Sequence, residues 1–349
     1  MNPDNSVSVV GRDVGIDQTK TAAIACVLLI HASTGGFWSA FGSADWFSTL
    51  FWSTFSRAAV PLFLMCSGAL FLTPDRVLSI RKLYGKYILR IFIALVVWGI
   101  AYKLIEVARN GAFTAQAVLE GFRQLLRLED ETHLYYLRIM LVFYAFLPMT
   151  RLIARHATKR ELQYLLGLWF ILGILMPTMA RNWPSFPISI PAQWPLNTTY
   201  SALGYGFLGY YLKAYPVQRR IGVLTAAAGF VFVFGVTGWL SIRQGSLYNG
   251  FLEGISVGVC LQAAGSFIML QRLWRSARGT KACRVVSRAS FCIYLVHFAF
   301  LHLFLDLGWT VRDIPCAVAI PLTAAAAMLC SFAVWLLLRR IPFVRTYLI

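Results

Sequence analysis

The chain has 349 residues, of which 58% are hydrophobic and only 13% charged, and its formal net charge is +18. A soluble domain carries about 25% charged residues, so the composition excludes a soluble protein and describes a polytopic membrane protein. The surplus of Lys and Arg does not imply nucleic acid, because these residues fall in short segments between apolar runs, where membrane topology explains them.

The polar N-terminus, MNPDNSVSVVGRDVG, lacks the basic-then-apolar form of a cleaved signal, so the first apolar helix is expected to direct insertion. Ten apolar spans follow, each long enough to cross about 30 Å of hydrocarbon. They run roughly over 17–36, 47–72, 84–105, 133–151, 162–180, 198–213, 221–241, 250–271, 287–306 and 314–338. The sixth is short and rich in Gly and Tyr. No internal repeat stands out and no polar linker is long enough to divide the chain. The expected fold is therefore all-α, one polytopic bundle of about ten transmembrane helices over residues 1–349.

Orientation follows from the basic residues. With the N-terminus in the cytoplasm, 22 Lys and Arg fall on the inner side and 6 on the outer. Both termini are then cytoplasmic. The largest inner cluster is Arg272, Arg275, Arg278, Lys281, Arg284 and Arg288. Lys103 lies near a helix end, where it can snorkel. Arg57, Arg90 and Arg138 lie within spans. A charge at the centre of an isolated helix costs on the order of 3 kcal/mol on insertion scales, so each of the three must face a polar interior, a cavity or a ligand.

The first span carries the densest signal. Lys20 and His31 are eleven residues apart, which returns to one stripe of an α-helix about 16 Å further along. Asp17, three residues before Lys20, joins that stripe. Counting from the span ends puts His31, Arg57 and His297 near one depth at the midplane, with Arg90 lower and His133 and Arg138 at the outer end of the fourth span. The reading is a polar column. It suits an anionic, phosphate-bearing donor, since Arg binds phosphate bidentately and His can take a proton from an attacking hydroxyl or carry an acyl group. A structural reading, in which the arginines only tie helices together, stands beside it.

Other features are neutral. The seven cysteines are scattered, with no metal-ligand spacing, and read as packing residues; no metal is expected. Trp183 and Trp194, in the segment 181–199, are either sugar-stacking faces or interfacial anchors. The sequon Asn197-Thr198-Thr199 matters only in a eukaryotic secretory setting. The segment 106–132, with Glu120, Glu129, Asp130 and Glu131 against Arg109, Arg123 and Arg127, reads as a solvated amphipathic helix. His156 and His302 receive no role.

Four motifs, in this order, carry a resemblance to the acyltransferase-3 integral-membrane family, and within it to the O-acetyltransferases of bacterial surface polysaccharides such as enterobacterial common antigen. They are Asp17, Lys20 and His31 on the first span; SRAAVPLFLMCSG from Ser56 to Gly68; HLYYL from His133 to Leu137; and SFCIYLVH from Ser290 to His297. Lys20 stands where that family has arginine, which keeps the charge and loses the fork. Tyr135 replaces a tryptophan, and the arginine-rich start of the third span is matched only by Lys86 and Arg90.

The resemblance implies an acyl-CoA-dependent enzyme of the bacterial inner membrane, with acetyl-CoA as cytoplasmic donor and a glycan or lipid-linked sugar hydroxyl as acceptor. It implies His31 as catalytic base or acyl relay, with Asp17, the second catalytic candidate, near Lys20, where it would set the local charge or pair with it. Lys20, Arg57 and Arg90 would hold the donor, and His133, Arg138 and His297 would lie towards the acceptor. His297 also reads as a structural histidine beside Ser290 and Tyr294. The six-cation cluster reads equally as a contact for CoA phosphates or as topology. A transporter or flippase of a lipid-linked glycan is the alternative from another class, since intramembrane charges and Gly-rich helices serve transport too. Oligomeric state is not legible.

Overall fold

Apolar runs of this length can satisfy their backbone polar groups in lipid only as helices, and the described residues form helices and connecting turns with no strand. The computed structural model describes residues 13–349 except 75, 77, 110, 112–113, 128–131, 184–189 and 272–276. Arg12, Glu129, Asp130, Glu131, Arg272 and Arg275 therefore lie outside the described residues, as does the side chain of Arg278.

The helices are α1 (Val14–Ser33), α2 (Ala44–Ser56), α3 (Ala59–Phe71), α4 (Ile80–Lys82), α5 (Leu89–Arg109), α6 (Ala115–Leu126), α7 (Tyr135–Ala145) and α8 (Leu147–His156). They continue with α9 (Lys159–Phe170), α10 (Met176–Asn182), α11 (Thr198–Ala214), α12 (Arg219–Gln244), α13 (Val257–Leu270), α14 (Ala277–Asp306), α15 (Cys316–Leu338) and α16 (Pro342–Tyr347). Wider π-turns join α4 to α5 and α9 to α10.

Each of the ten expected spans has its helix, but fewer qualify outright as crossings. Among the described residues, eight continuous helical stretches are long and apolar enough to cross a membrane. A ninth is the pair α7–α8, bent by 55° at a one-residue break. The remaining span is α11, whose 17 residues reach about 26 Å at 1.5 Å per residue, short of the hydrocarbon thickness. The segment 106–132 does contain an amphipathic helix, α6, which lays Leu125 on Gly99 of α5. Lys103, expected to snorkel, is held by Glu106 and Gln124, each at 2.9 Å.

Glycines set how closely the helices approach. A Cβ on Gly68 of α3 would lie 1.9 Å from the carbonyl oxygen of Gly206 on α11, and one on Gly209 would lie 2.1 Å from that of Met65. Gly229 and Gly258 bring α12 and α13 together in the same way, with 2.5 Å left between a Cβ on Gly229 and the Gly258 carbonyl oxygen. The core is centred on α1, which packs against α2, α3, α14 and α15.

The second span breaks where its arginine sits. α2 ends at Ser56, α3 begins at Ala59, and Arg57 occupies the turn between. Pro61 has no N–H to return to the Arg57 carbonyl, so the hydrogen-bond ladder is interrupted there while the span continues. Nε2 of Gln262, on α13, donates to the carbonyls of Thr54, which also accepts the Arg57 N–H, at 3.1 Å and Phe55 at 2.8 Å. The break is thereby satisfied inside the bundle, as lipid-buried backbone requires.

Candidate active site

α1 is capped by Asp13, whose carboxylate accepts the Ile16 N–H at 3.0 Å. Because the helix starts at Val14, earlier than the expected span, His31 lies seventeen residues along it, in its last turn. Asp17 is buried in the first turn. Asp17 and His31 are fourteen residues apart, about 21 Å of helix. The two share a stripe but not a height, so the structure does not bring Asp17 to His31.

Around His31 the structure gathers groups from distant parts of the chain. The rings of His31 and His297 (α14) are 5.2 Å apart between centroids, those of His133 and His297 also 5.2 Å, and those of His31 and His133 6.4 Å. His133 belongs to the 3₁₀ turn Thr132–Leu134 that opens α7. Phe298 stacks on His133 at 4.6 Å and 9° and meets His31 edge-on at 4.7 Å. The Tyr294 hydroxyl donates to the His133 carbonyl and that of Tyr102 to the Leu295 carbonyl, at 2.7 Å for the latter, fixing the turn against α5 and α14.

His297 has a defined tautomer. Its Nδ1 lies 2.7 Å from the Tyr294 carbonyl oxygen and 3.2 Å from that of Ile293. A carbonyl only accepts, so Nδ1 carries the proton and, in the neutral ring, Nε2 keeps its lone pair. That Nε2 is buried and has no hydrogen-bond partner among the described residues.

A cavity of about 500 Å³ opens beside this cluster, and its wall includes His31, Arg57, His133, Arg138 and Glu253. Arg57 Nη2 donates to Ser53 Oγ at 2.7 Å, while its buried Nε has no hydrogen-bond partner among the described residues. Toward the end of the bundle where α1 begins, a second cavity of about 190 Å³ holds Lys20 and Arg90. Arg90 donates to the main-chain oxygen of Ile349 and lies 4.9 Å over the Phe291 ring. Tyr136 and Tyr294 line both cavities, their rings 5.5 Å apart, and form the wall between them. The expected column is therefore two chambers in series, Lys20 and Arg90 in one and Arg57 and Arg138 in the other, and His133 and Arg138 join His31 and Arg57 around one cavity instead of forming a separate outer group.

Sequence reasoning missed Glu253. It follows the 3₁₀ turn Gly250–Leu252, lines the larger cavity, and pairs with Arg181 at 3.1 Å. An acidic residue in the first turn of an apolar span was the available signal. Trp183 packs against Phe251 at 5.6 Å and does not line the cavity, nor does Trp194. Asn197 of the sequon caps α11 by accepting the N–H groups of Thr199 at 3.0 Å and Tyr200 at 3.2 Å, and Thr198 and Thr199 line the cavity. Among the described residues no three His, Cys, Asp or Glu side chains are arranged to hold a metal, and the seven cysteines are free thiols.

A helical, multi-pass membrane bundle with imidazoles and guanidinium groups converging on an interior cavity is the class these features define. Residues 13–340 match the family model of the acyltransferase domain, and the chain belongs to the acyltransferase-3 family. No curated protein and no solved structure matches the chain.

Proposed function

We propose that the protein is an O-acetyltransferase of the bacterial cytoplasmic membrane. It moves an acetyl group from acetyl-CoA to a hydroxyl of a surface or lipid-linked glycan, as the enterobacterial common antigen group does. One observation carries the reading: His31 and Arg57 share the wall of a cavity of about 500 Å³ that lies next to the Lys20–Arg90 chamber. Four cations along one route suit the phosphates and thioester of a CoA donor.

In the proposed reaction the acceptor hydroxyl attacks the thioester carbonyl carbon while a ring nitrogen of His31 takes its proton. The Arg57 guanidinium, with its unpartnered buried Nε, faces the developing oxyanion. Collapse breaks the C–S bond, and the imidazolium returns the proton to sulfur, giving an acetyl ester and free CoA. Asp17, one turn from Lys20, acts on donor binding through the local charge and does not touch reacting atoms. The 22-to-6 bias of Lys and Arg directs the Lys20 end to the cytoplasm.

Membrane vesicles test both halves. Inside-out vesicles with host surface glycan in the lumen and labelled acetyl-CoA outside should release CoA and form the acetylated glycan, and sealed right-side-out vesicles given acetyl-CoA outside should not. His31→Ala should lower that rate by about 10²–10⁴-fold with the protein still folded in the membrane. A transporter would release no CoA, and normal transfer by His31→Ala would remove His31 from the chemistry.

A further inference from the structure

We infer that a second chamber at His31 is the acceptor site and that it binds a pyranose ring, an inference that rests on the acyl-transfer reading. His31 stands in the walls of two cavities that share no other residue. One is the arginine-lined cavity already described. The other, of about 490 Å³, lies between the 3₁₀ turn Thr34–Trp38, the end of α14 and the segment leading into α15. Transfer between two substrates requires each to reach the same imidazole without displacing the other. Two cavities meeting at one imidazole meet that requirement.

The chemistry of the second wall selects the ligand. Phe298 and the two indoles Trp38 and Trp309 offer flat apolar faces, and His302, Thr34 and Arg312 add polar groups. A pyranose has one apolar face and a rim of hydroxyls, so it satisfies both sets; an acyl chain would leave the polar groups desolvated and unmatched. The wall is also pre-formed. Trp309 Nε1 donates to Thr323 Oγ1 at 2.9 Å, and the adjoining turn is tied by Thr310 Oγ1 to Asp313 at 2.9 Å and by the Cys316 N–H to Asp45 at 2.7 Å. The Arg312 guanidinium, exposed and in no ion pair among the described residues, favours a sugar carrying a carboxylate.

The test uses the full-length protein in lipid nanodiscs, with trigalacturonate and chitotriose as probes. Trp38 is 79% exposed, so Trp38→Ala and Arg312→Gln leave the packing alone. Saturation-transfer NMR should report binding of trigalacturonate to the wild type, with chitotriose weaker, and each variant should weaken trigalacturonate binding about tenfold. With acetyl-CoA present, the loss should fall in the KM for trigalacturonate and not in kcat, whereas Arg57→Gln should lower kcat by about 10²–10³-fold. Binding by neither saccharide, or equal binding by wild type and both variants, would overturn the assignment even if CoA is released. If no CoA is released under any condition, the acyl-transfer reading fails, and the binding arm still decides what the chamber takes.

Discussion

At the residue scale the informative group is His297. Its Nδ1–H serves the Tyr294 carbonyl, which is structural, while its Nε2 is buried, has no hydrogen-bond partner among the described residues and lines neither chamber at His31, with its ring 5.2 Å from that of His31. The two atoms separate the two readings of this residue. Asn reproduces a donor at the Nδ1 position and has nothing at Nε2. If Nε2 positions His31, His297→Asn should keep its thermal stability near wild type and lose transfer rate about tenfold in kcat with little change in KM. His297→Ala should in addition lose about 1–3 kcal/mol of stability, because the side-chain hydrogen bond to the Tyr294 carbonyl is lost and the buried ring leaves a cavity behind. Full activity in the Asn variant would reduce His297 to a packing residue. His31, Arg57, His133, Arg138 and His297 were legible because an ionisable side chain inside an apolar run stands out. Glu253 was not, because an acid at the edge of a span looks like an ordinary interfacial charge. Asp17 lies where its spacing puts it, at the start of α1 and about 21 Å along the helix from His31, because helical rise fixes the height as periodicity fixes the face.

At the element scale, the positions of the helices were legible and their interruptions were not. Every expected span coincides with a helix because the run of apolar residues measures the bilayer directly. The break at Arg57 depends on Pro61 from within the span and on Gln262 from more than two hundred residues away, and a tertiary donor of that kind leaves no local trace. The close approach of α3 and α11 likewise needs glycines on both helices in register. Gly209→Ala would bring a Cβ to 2.1 Å from the Met65 carbonyl oxygen, a backbone atom that cannot move aside. Gly235→Ala, on α12, meets no atom within 4 Å. Thermal unfolding in detergent should therefore show Gly209→Ala losing about 1–3 kcal/mol or more. Gly235→Ala should be neutral or gain up to about 1 kcal/mol from helix propensity. Equal effects of the two would mean that the α3–α11 contact is looser than its geometry.

At the scale of the whole molecule, the chambers exist only if α1 and α11 hold their relative height, since α1 carries Lys20 and His31 and the start of α11 lines the larger cavity. Their ends are joined by an ion pair between Asp13 and Lys213, which connects the N-cap of α1 to the last turn of α11. Burial pushes the Asp13 carboxyl up, but the hydrogen bond and charge of Lys213 together with the Ile16 N–H outweigh it and hold the group below its ordinary value of 3.8. A depressed carboxylate stabilises the fold above its unfolded pKa, and that contribution disappears as pH falls through the folded pKa. Asp13→Asn isolates the effect, because Asn caps a helix about as well as Asp while carrying no charge. Thermal unfolding of the detergent-solubilised protein should show wild type above Asp13→Asn by a constant margin from about pH 5 upward. The margin should close as pH falls below about 3.8. Lys213→Met should remove the same margin, since it deletes the other half of the pair. A gap that persists unchanged at low pH would show that the carboxylate's charge contributes nothing to holding α1 and α11 in register.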